Sequence, residues 1–247
     1  MNITLLGTGV GIPQNERVQS GLIVDTANGP VLFDCGSGVL QRIYQSPYKH
    51  TSIENVFLSH LHLDHCADFL SLVKANWLCD VTRINLWGPV GTLKWWNDLL
   101  CAYSYMQNKI DIHINELSSG QTVKLDGLEI VCITTVHALP SLGFLISLSG
   151  RTMLYTGDTE PVEDIARASD GIDLLIHECS FPDTFEVDNH TTPKRLAEML
   201  RGINIGKVIL THLYPQTQGF ETEMVSVIAN ACQCQVEIGH DLQEIEV

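Results

Sequence analysis

The sequence predicts an α/β fold in which two mixed sheets pack face to face with helices outside. Three observations carry this expectation. Predicted strands and helices come in two successive runs, each of strands followed by helices, the pattern of sheet packed on sheet. Several strands are continuous β-branched and apolar runs, as in strands buried on both faces. The 247 residues can bury a large core, and no repeat, low-complexity tract, Ser-rich stretch or charge-run linker divides them, so the reading is a single domain over 1–247.

Taken in order, the first strand spans 2–6. Met1-Asn2-Ile3-Thr4-Leu5-Leu6 has no basic n-region and runs straight into a glycine turn, so it reads as a strand and not as a signal peptide. Gly7, Gly9 and Gly11 make a tight loop and not a phosphate cradle, because a strand at 19–25 follows instead of a helix. Strands at 30–34 and 55–59 precede helices at 37–46 and 66–76. A strand at 83–87 leads to a helix from Thr92 to Met106, with Leu93, Trp96, Leu100 and Tyr103 on one face. Strands at 110–114, 122–125, 128–136, 143–148 and 151–155 follow. A helix at 161–168, a strand at 173–176, a helix at 193–202, a strand at 207–211, a helix at 221–231 and a strand at 235–239 complete the chain.

The densest chemistry lies after the apolar run 53–59, where residues 60–65 read His-Leu-His-Leu-Asp-His. His60, His62, Asp64 and His65 offer imidazole nitrogens and a carboxylate, donors that suit zinc and its first-row neighbours. Four are too many for one open catalytic ion once others join. Others do: the apolar runs 128–136, 151–157 and 206–211 end in His137, Asp158 and His212. One such residue alone is a turn or a satisfied polar group. Four strand ends with the same feature predict a two-metal site on a rigid frame.

The spacing His60-x-His62-x-Asp64-His65, then His137, Asp158 and His212, resembles the metallo-β-lactamase superfamily along nearly the whole chain. Leu6-Gly7-Thr8-Gly9 with Pro13, Arg17 and Ser20, Phe33-Asp34-Cys35-Gly36, Gly88-Pro89, Thr156-Gly157-Asp158-Thr159, His177-Glu178 and His190-Thr191-Thr192 resemble its ribonuclease Z branch. The resemblance implies the αβ/βα four-layer sandwich and two divalent ions, zinc first, with manganese or iron(II) as alternatives. It implies His60, His62 and His137 on one ion, Asp64, His65 and His212 on the other, and Asp158 bridging. It implies that His190, oriented by Glu178, donates a proton or stabilises charge. Asp64, a ligand placed to hydrogen-bond the nucleophile, reads as the proton acceptor. Asp34 reads either as a support for a ligand or as a cap for backbone amides. Two departures stand out. The protruding tRNA-gripping arm has no room between His137 and Asp158, where one hairpin is expected. Leu213-Tyr214-Pro215-Gln216 lacks the Ser and Arg common in that loop.

Composition weighs on the substrate. The formal charge is −15, against the basic face expected of nucleic-acid binders. Lys194, Arg195 and Arg201, with Lys207 beyond, are the only basic cluster and read as a solvated helix face, with a phosphate contact by Lys194 or Arg195 as the sharper alternative. No apolar run reaches a membrane span, and the expected location is the cytoplasm. The eight cysteines are expected to be reduced, and Cys232-x-Cys234 to be a helix end leading into a strand and not a soft-metal clip. Trp77, Trp95 and Trp96 could wall a cleft for a base or aryl group, or simply pack. His50, His113 and His240 read as surface residues, and His177 as without catalytic role.

The reading is a two-metal phosphodiesterase acting on a small or cyclic phosphodiester, with Asp64, His190 and Glu178 in catalysis and a homodimer implied by related enzymes. A tRNA 3′-processing endonuclease without the arm is the alternative. Hydrolysis of another ester class and a non-catalytic ligand-binding module follow. A di-iron oxygen-reducing site ranks low, because such sites commonly carry Glu where His62 stands.

Overall fold

The computed structural model describes residues 1–125 and 127–247. Its strands are β1 (Asn2–Gly7), β2 (Gly21–Thr26), β3 (Gly29–Phe33), β4 (Asn55–Phe57), β5 (Arg83–Pro89), β6 (Asp111–Leu117), β7 (Thr122–Leu125), β8 (Leu128–Thr134), β9 (Leu142–Leu148), β10 (Arg151–Tyr155), β11 (Ile172–Glu178), β12 (Ile205–Thr211), β13 (Gln235–Ile238) and β14 (Gln243–Glu246). The helices are α1 (Val39–Gln45), α2 (Leu63–Cys66), α3 (Phe69–Trp77), α4 (Thr92–Ala102), α5 (Glu163–Ala168), α6 (Pro193–Met199) and α7 (Glu221–Cys232).

The strands form two seven-stranded sheets, ordered β14-β1-β2-β3-β4-β5-β6 and β13-β12-β11-β10-β9-β8-β7. Each sheet carries one antiparallel half and one parallel half. In the first, β14, β1, β2 and β3 pair antiparallel, and β3, β4, β5 and β6 pair parallel. In the second, β7 to β10 are antiparallel and β10 to β13 parallel.

The inner faces meet in one cluster in which Phe33 and Phe57 of the first sheet pack on Phe144 of the second, at 5.5 and 5.7 Å between ring centroids. A second cluster joins the first sheet to α1, α3 and α4, and a third joins the second sheet to α5, α6 and α7. The four layers are the predicted αβ/βα sandwich. No described helix is long and apolar enough to cross a membrane.

Several expectations are corrected. β14 was not anticipated: Gln243-Glu244-Ile245-Glu246 shows mostly polar residues and is held as an edge strand by β1, with only Ile245 buried. The 66–76 helix is broken into α2 and α3, because the Asp68 side chain turns outward to accept from the amides of Gly38 and Leu40. The stripe on α4 is only partly inward: Trp96 is buried, whereas Leu93 and Tyr103 are exposed, and Leu99 joins Leu100 against the core. Cys232 and Cys234 are joined as a disulfide across Gln233, which takes a left-handed backbone at φ 53°, although α7 does end there and lead into β13. His50 is half-buried and bonded to Asn76. His113 and His240 are exposed, as expected.

Candidate metal centre

Ligand sites in α/β sheets form beyond the carboxyl ends of parallel strands, and the predicted donors gather there. The 60–65 block follows β4. Asp158 follows β10, and His212 follows β12. Ordinary alternation along a strand would not aim these residues, and the backbone breaks it. Asp34 after β3, Gly157 before Asp158, and His212 take φ of 57°, 56° and 56°. Glycine adopts this left-handed turn freely, and a Cβ on Gly157 would also strike Ser59 at 2.6 Å. Asp34 and His212 have no such freedom, and strain of this kind is typical of functional positions. The Phe33-Asp34-Cys35-Gly36 motif also pins the loop of the block. Cys35 N donates to His65 O, and Gly36 leaves room for the Asp64 carbonyl, which a Cβ would meet at 2.1 Å.

The donors fall into groups whose ligand atoms lie within 4.8 Å of one another: His60, His62, His137 and Asp158, then Asp64, His65 and His212. His62 Nδ1 lies 2.9 Å from both His60 Nε2 and His137 Nε2. Asp158 Oδ2 lies 3.7 Å from His60 Nε2, 3.7 Å from His137 Nε2 and 3.4 Å from His212 Nε2, and its Oδ1 lies 3.3 Å from His65 Nε2. His212 Nε2 lies 3.3 Å from Asp64 Oδ2. A tetrahedral ion with bonds of 2.0–2.1 Å holds its donors about 3.3 Å apart.

The outward-facing nitrogens of His60, His65, His137 and His212 are engaged. His65 Nδ1 donates to Asp34 Oδ2 at 2.7 Å, and His137 Nδ1 donates to Asn189 O at 2.8 Å. Ser59 Oγ donates to Asp34 Oδ2 at 2.8 Å and so is free to accept from His60 Nδ1 at 3.0 Å. Ser180 Oγ donates to Glu178 Oε2 at 2.6 Å and can accept from His212 Nδ1 at 3.0 Å. A proton fixed on Nδ1 leaves the Nε2 lone pair facing inward, the arrangement that metal-ligating histidines need. His65 Nε2 and Asp158 Oδ1 are buried and lack a hydrogen-bond partner, a state that costs about 1–3 kcal/mol per group when nothing else satisfies it. The residues fit divalent ions on each of these counts.

The electrostatics divide the donors. Burial would lower His65, yet the carboxylates of Asp158 and Asp34 hold it well above its ordinary pKa, whereas His60, His62, Asp64 and Asp158 shift toward the ligating form. Burial, with His65 and His137 nearby, pushes the His60 imidazole well below its ordinary pKa. Burial and His137 lower His62. Burial would raise Asp158, but the fields of His212 and His65 take it well below the usual carboxylate range. Asp64 is likewise lowered against burial by its hydrogen bond with His212 and by His65.

His190 stands beside these groups, with a ring nitrogen within 4.8 Å of donor atoms of Asp158 and His212. Its Nδ1 donates to Glu178 Oε1 at 2.9 Å. Burial would lower this imidazole, yet the hydrogen bond and charge of Glu178 hold it above its ordinary value. Glu178 is fully buried at the end of β11 and also accepts from Thr159 N, Thr191 N and Ser180 Oγ.

Every sequence-predicted site residue therefore converges here: His60, His62, Asp64, His65, His137, Asp158, His212, His190 and Glu178. Asp34 does both things proposed for it. It caps Ser59 N at 2.7 Å and holds His65, and Tyr155 Oη donates to it at 2.6 Å. Arg195 is a correction, being neither a solvated face nor a free phosphate contact. Its Nη2 pairs with Glu160 Oε2 at 2.7 Å, and its Nη1 donates to the carbonyls of Val187 and His190. Glu160 also accepts from Asn189 N. This pair ties down the loop that carries both His190 and the carbonyl fixing His137. Lys194 is exposed.

Of the two readings offered for the tryptophans, packing holds. Trp77, Trp95 and Trp96 belong to the packing under the outer helices, with Lys74 Nζ 3.7 Å above the Trp77 ring. The rings beside the site are Phe181, Phe185 and Tyr214, which sequence reading did not single out. Ser59, Tyr155, Glu160 and Ser180 were also missed. Ser59 could have been noticed from its place directly before His60, but no local pattern marks Tyr155 or Glu160.

Residues 30–213 match the family model of the beta-lactamase superfamily domain. The chain is 25% identical to a ribonuclease Z of Methanosarcina acetivorans, covering all of this chain and 98% of the relative. That alignment runs over 303 positions, so the relative holds segments that these 247 residues do not. The fold superposes on the crystal structure of the metallo-beta-lactamase fold protein YhfI from Bacillus subtilis with a TM-score of 0.85, at 21% identity over 100% of this chain and 99% of that one. It superposes on the human tRNase Z short form at 0.80, with 22% identity over 100% and 99%.

Proposed function

The chain belongs to the beta-lactamase superfamily and is a metal-dependent hydrolase like its ribonuclease Z relatives, and from that premise we propose that it hydrolyses phosphodiesters in RNA, as a ribonuclease Z-type endonuclease working within one domain. The observation that carries this reading is the His190–Glu178 pair, set against the seven converged donors.

His60, His62 and His137 would hold one divalent ion, Asp64, His65 and His212 the other, with Asp158 shared between them. Zinc suits this nitrogen-rich set best. Such a pair, when bound, supplies Lewis acidity to the phosphoryl group and lowers the pKa of water to about 7. Asp64 remains a carboxylate and accepts the proton that the attacking water gives up. His190 donates a proton to the oxygen that leaves, and Glu178 orients its imidazole and favours the charged form. Glu178 is in turn fixed by two backbone amides and Ser180, so little reorganisation accompanies the transfer.

The relatives' names favour RNA over the small diester that the sequence alone placed first. A small or cyclic diester stays the second reading on two specific observations. β9 and β10 are joined directly through Ser149-Gly150, which leaves no arm between His137 and Asp158. The formal charge is −15, and Arg195 is spent on Glu160. Protein reconstituted with zinc or manganese should be given a precursor tRNA with a 3′ trailer alongside bis(p-nitrophenyl) phosphate. A discrete cut at the trailer supports the RNA reading. Cleavage of the small diester alone replaces it with the second, and inertness toward both with metal bound would move the activity to another ester class.

A further inference from the structure

Three aromatic rings run outward from the His190 imidazole. Tyr214 lies 5.8 Å from it at 69°, and 5.9 Å from His212. Phe181 stacks on Tyr214 at 4.2 Å and 28° and lies 6.2 Å from His190. Phe185 continues the row, 5.7 Å from Phe181. Burial does not explain the row, because Tyr214 and Phe181 are only half-buried and Phe185 is exposed. The rings are nevertheless fixed. Ser180 N donates to Thr191 O and Phe185 N donates to Pro182 O within the β11–α6 loop, and Tyr214 N donates to Ser180 O, so that loop and the one after β12 are stitched together by backbone bonds.

We propose that Tyr214 and Phe181, with Phe185 at the outer end, form a stacking platform for the nucleobase next to the scissile phosphate. The inference rests on the phosphodiesterase reading, which puts that phosphate against His190. The platform begins one ring away, within the reach of a single ribose. The charge of the chain favours stacking as the source of affinity. Most nucleic-acid binders draw on cationic side chains at the phosphates. Here the formal charge is −15, and the arginine nearest the site is paired with Glu160. A flat π-face needs no cation, and it accepts any base.

The test compares two short oligoribonucleotides that differ at the nucleoside flanking the cleaved bond, one with its base and one with an abasic riboside. The zinc-loaded enzyme should show about a tenfold higher kcat/KM for the base-bearing strand, the size of one base–aromatic stack. Tyr214→Leu and Phe181→Leu should bring that ratio close to one, and Tyr214→Phe should keep it. If Phe181→Leu does not fold, the half-exposed Tyr214 carries the test. A ratio near one in the wild type, or an undiminished ratio in Tyr214→Leu, overturns the platform. Calorimetric binding of CMP against ribose 5-phosphate separates this inference from the reaction itself. Tighter binding of CMP that Tyr214→Leu removes, without turnover of either strand, would leave the platform standing and sink the phosphodiesterase reading. Equal binding without turnover would sink both.

Discussion

The two halves of the molecule repeat one architecture and equip it differently. In each, three antiparallel pairs give way to three parallel ones, and the site lies where the parallel strands end. The first half concentrates its contribution in six residues after β4, supported from beneath by Asp34. The second half spreads single residues over the ends of β8, β10, β11 and β12, and adds His190, its clamp and the aromatic row. The shared device is a left-handed residue at a strand end: Asp34 in the first half, Gly157 and His212 in the second. A compact loop suffices to present several donors at once. Shaping the ground around a substrate takes several strands.

The comparison can be broken most directly at Asp158, the carboxylate proposed to be shared by both ions. Asp158→Ala should abolish turnover and lower the occupancy of both ions, as judged by elemental analysis of the purified protein. Retention of both ions would mean that the three other donors assigned to each ion hold it without the carboxylate proposed to be shared. His190→Ala should slow phosphodiester cleavage by about 10²–10⁴-fold while metal content stays full, and an unchanged single-turnover rate would remove His190 from the mechanism. Arg195→Ala should cost about 10–100-fold in activity or metal affinity, because the loop holding His190 and the Asn189 carbonyl loses its tether; Arg195→Lys should restore part of it. Wild-type behaviour of Arg195→Ala would reduce the clamp to surface decoration.

The smallest effect is expected in the support of the first half. Tyr155→Phe removes one of the hydrogen bonds that Asp34 accepts, at a cost of about 1–3 kcal/mol. Thermal melting should fall by about 2–4 °C per kcal/mol, with metal content intact. A loss of metal instead would show that Asp34 governs the ion through His65 more tightly than its other hydrogen bonds suggest.

The same contrast explains what could be read from the chain. His60, His62, Asp64 and His65 are adjacent in sequence, so their chemistry is local and visible. His137, Asp158 and His212 became visible because each ends an apolar, β-branched run, although β8 stops at Thr134 and Val136 is exposed. The sheets themselves followed from those runs. Glu160 and Arg195 are 35 residues apart and meet only because Glu160 follows β10 while Arg195 sits on α6. Tyr155 reaches Asp34 across 121 residues, from one sheet to the other. β14 escaped notice for a different reason, since an edge strand needs little hydrophobicity when a neighbour supplies its ladder. Arg195 was misjudged because a cation at the start of a helix looks solvated until its partners are known.

The β9–β10 hairpin has a wider consequence. Leu148 and Arg151 face each other in register across Ser149 and Gly150, so the ends of this turn are already side by side. A segment inserted there would begin and end at the same place, and the entropy of closing it grows only with the logarithm of its length. Neither strand would need to slip, and Asp158 at the far end of β10 would keep its position. Reach and chemistry are therefore separable in this architecture. One lineage can lengthen the turn into a grip for a large substrate, and another can trim it to two residues, without either renegotiating the centre that cuts.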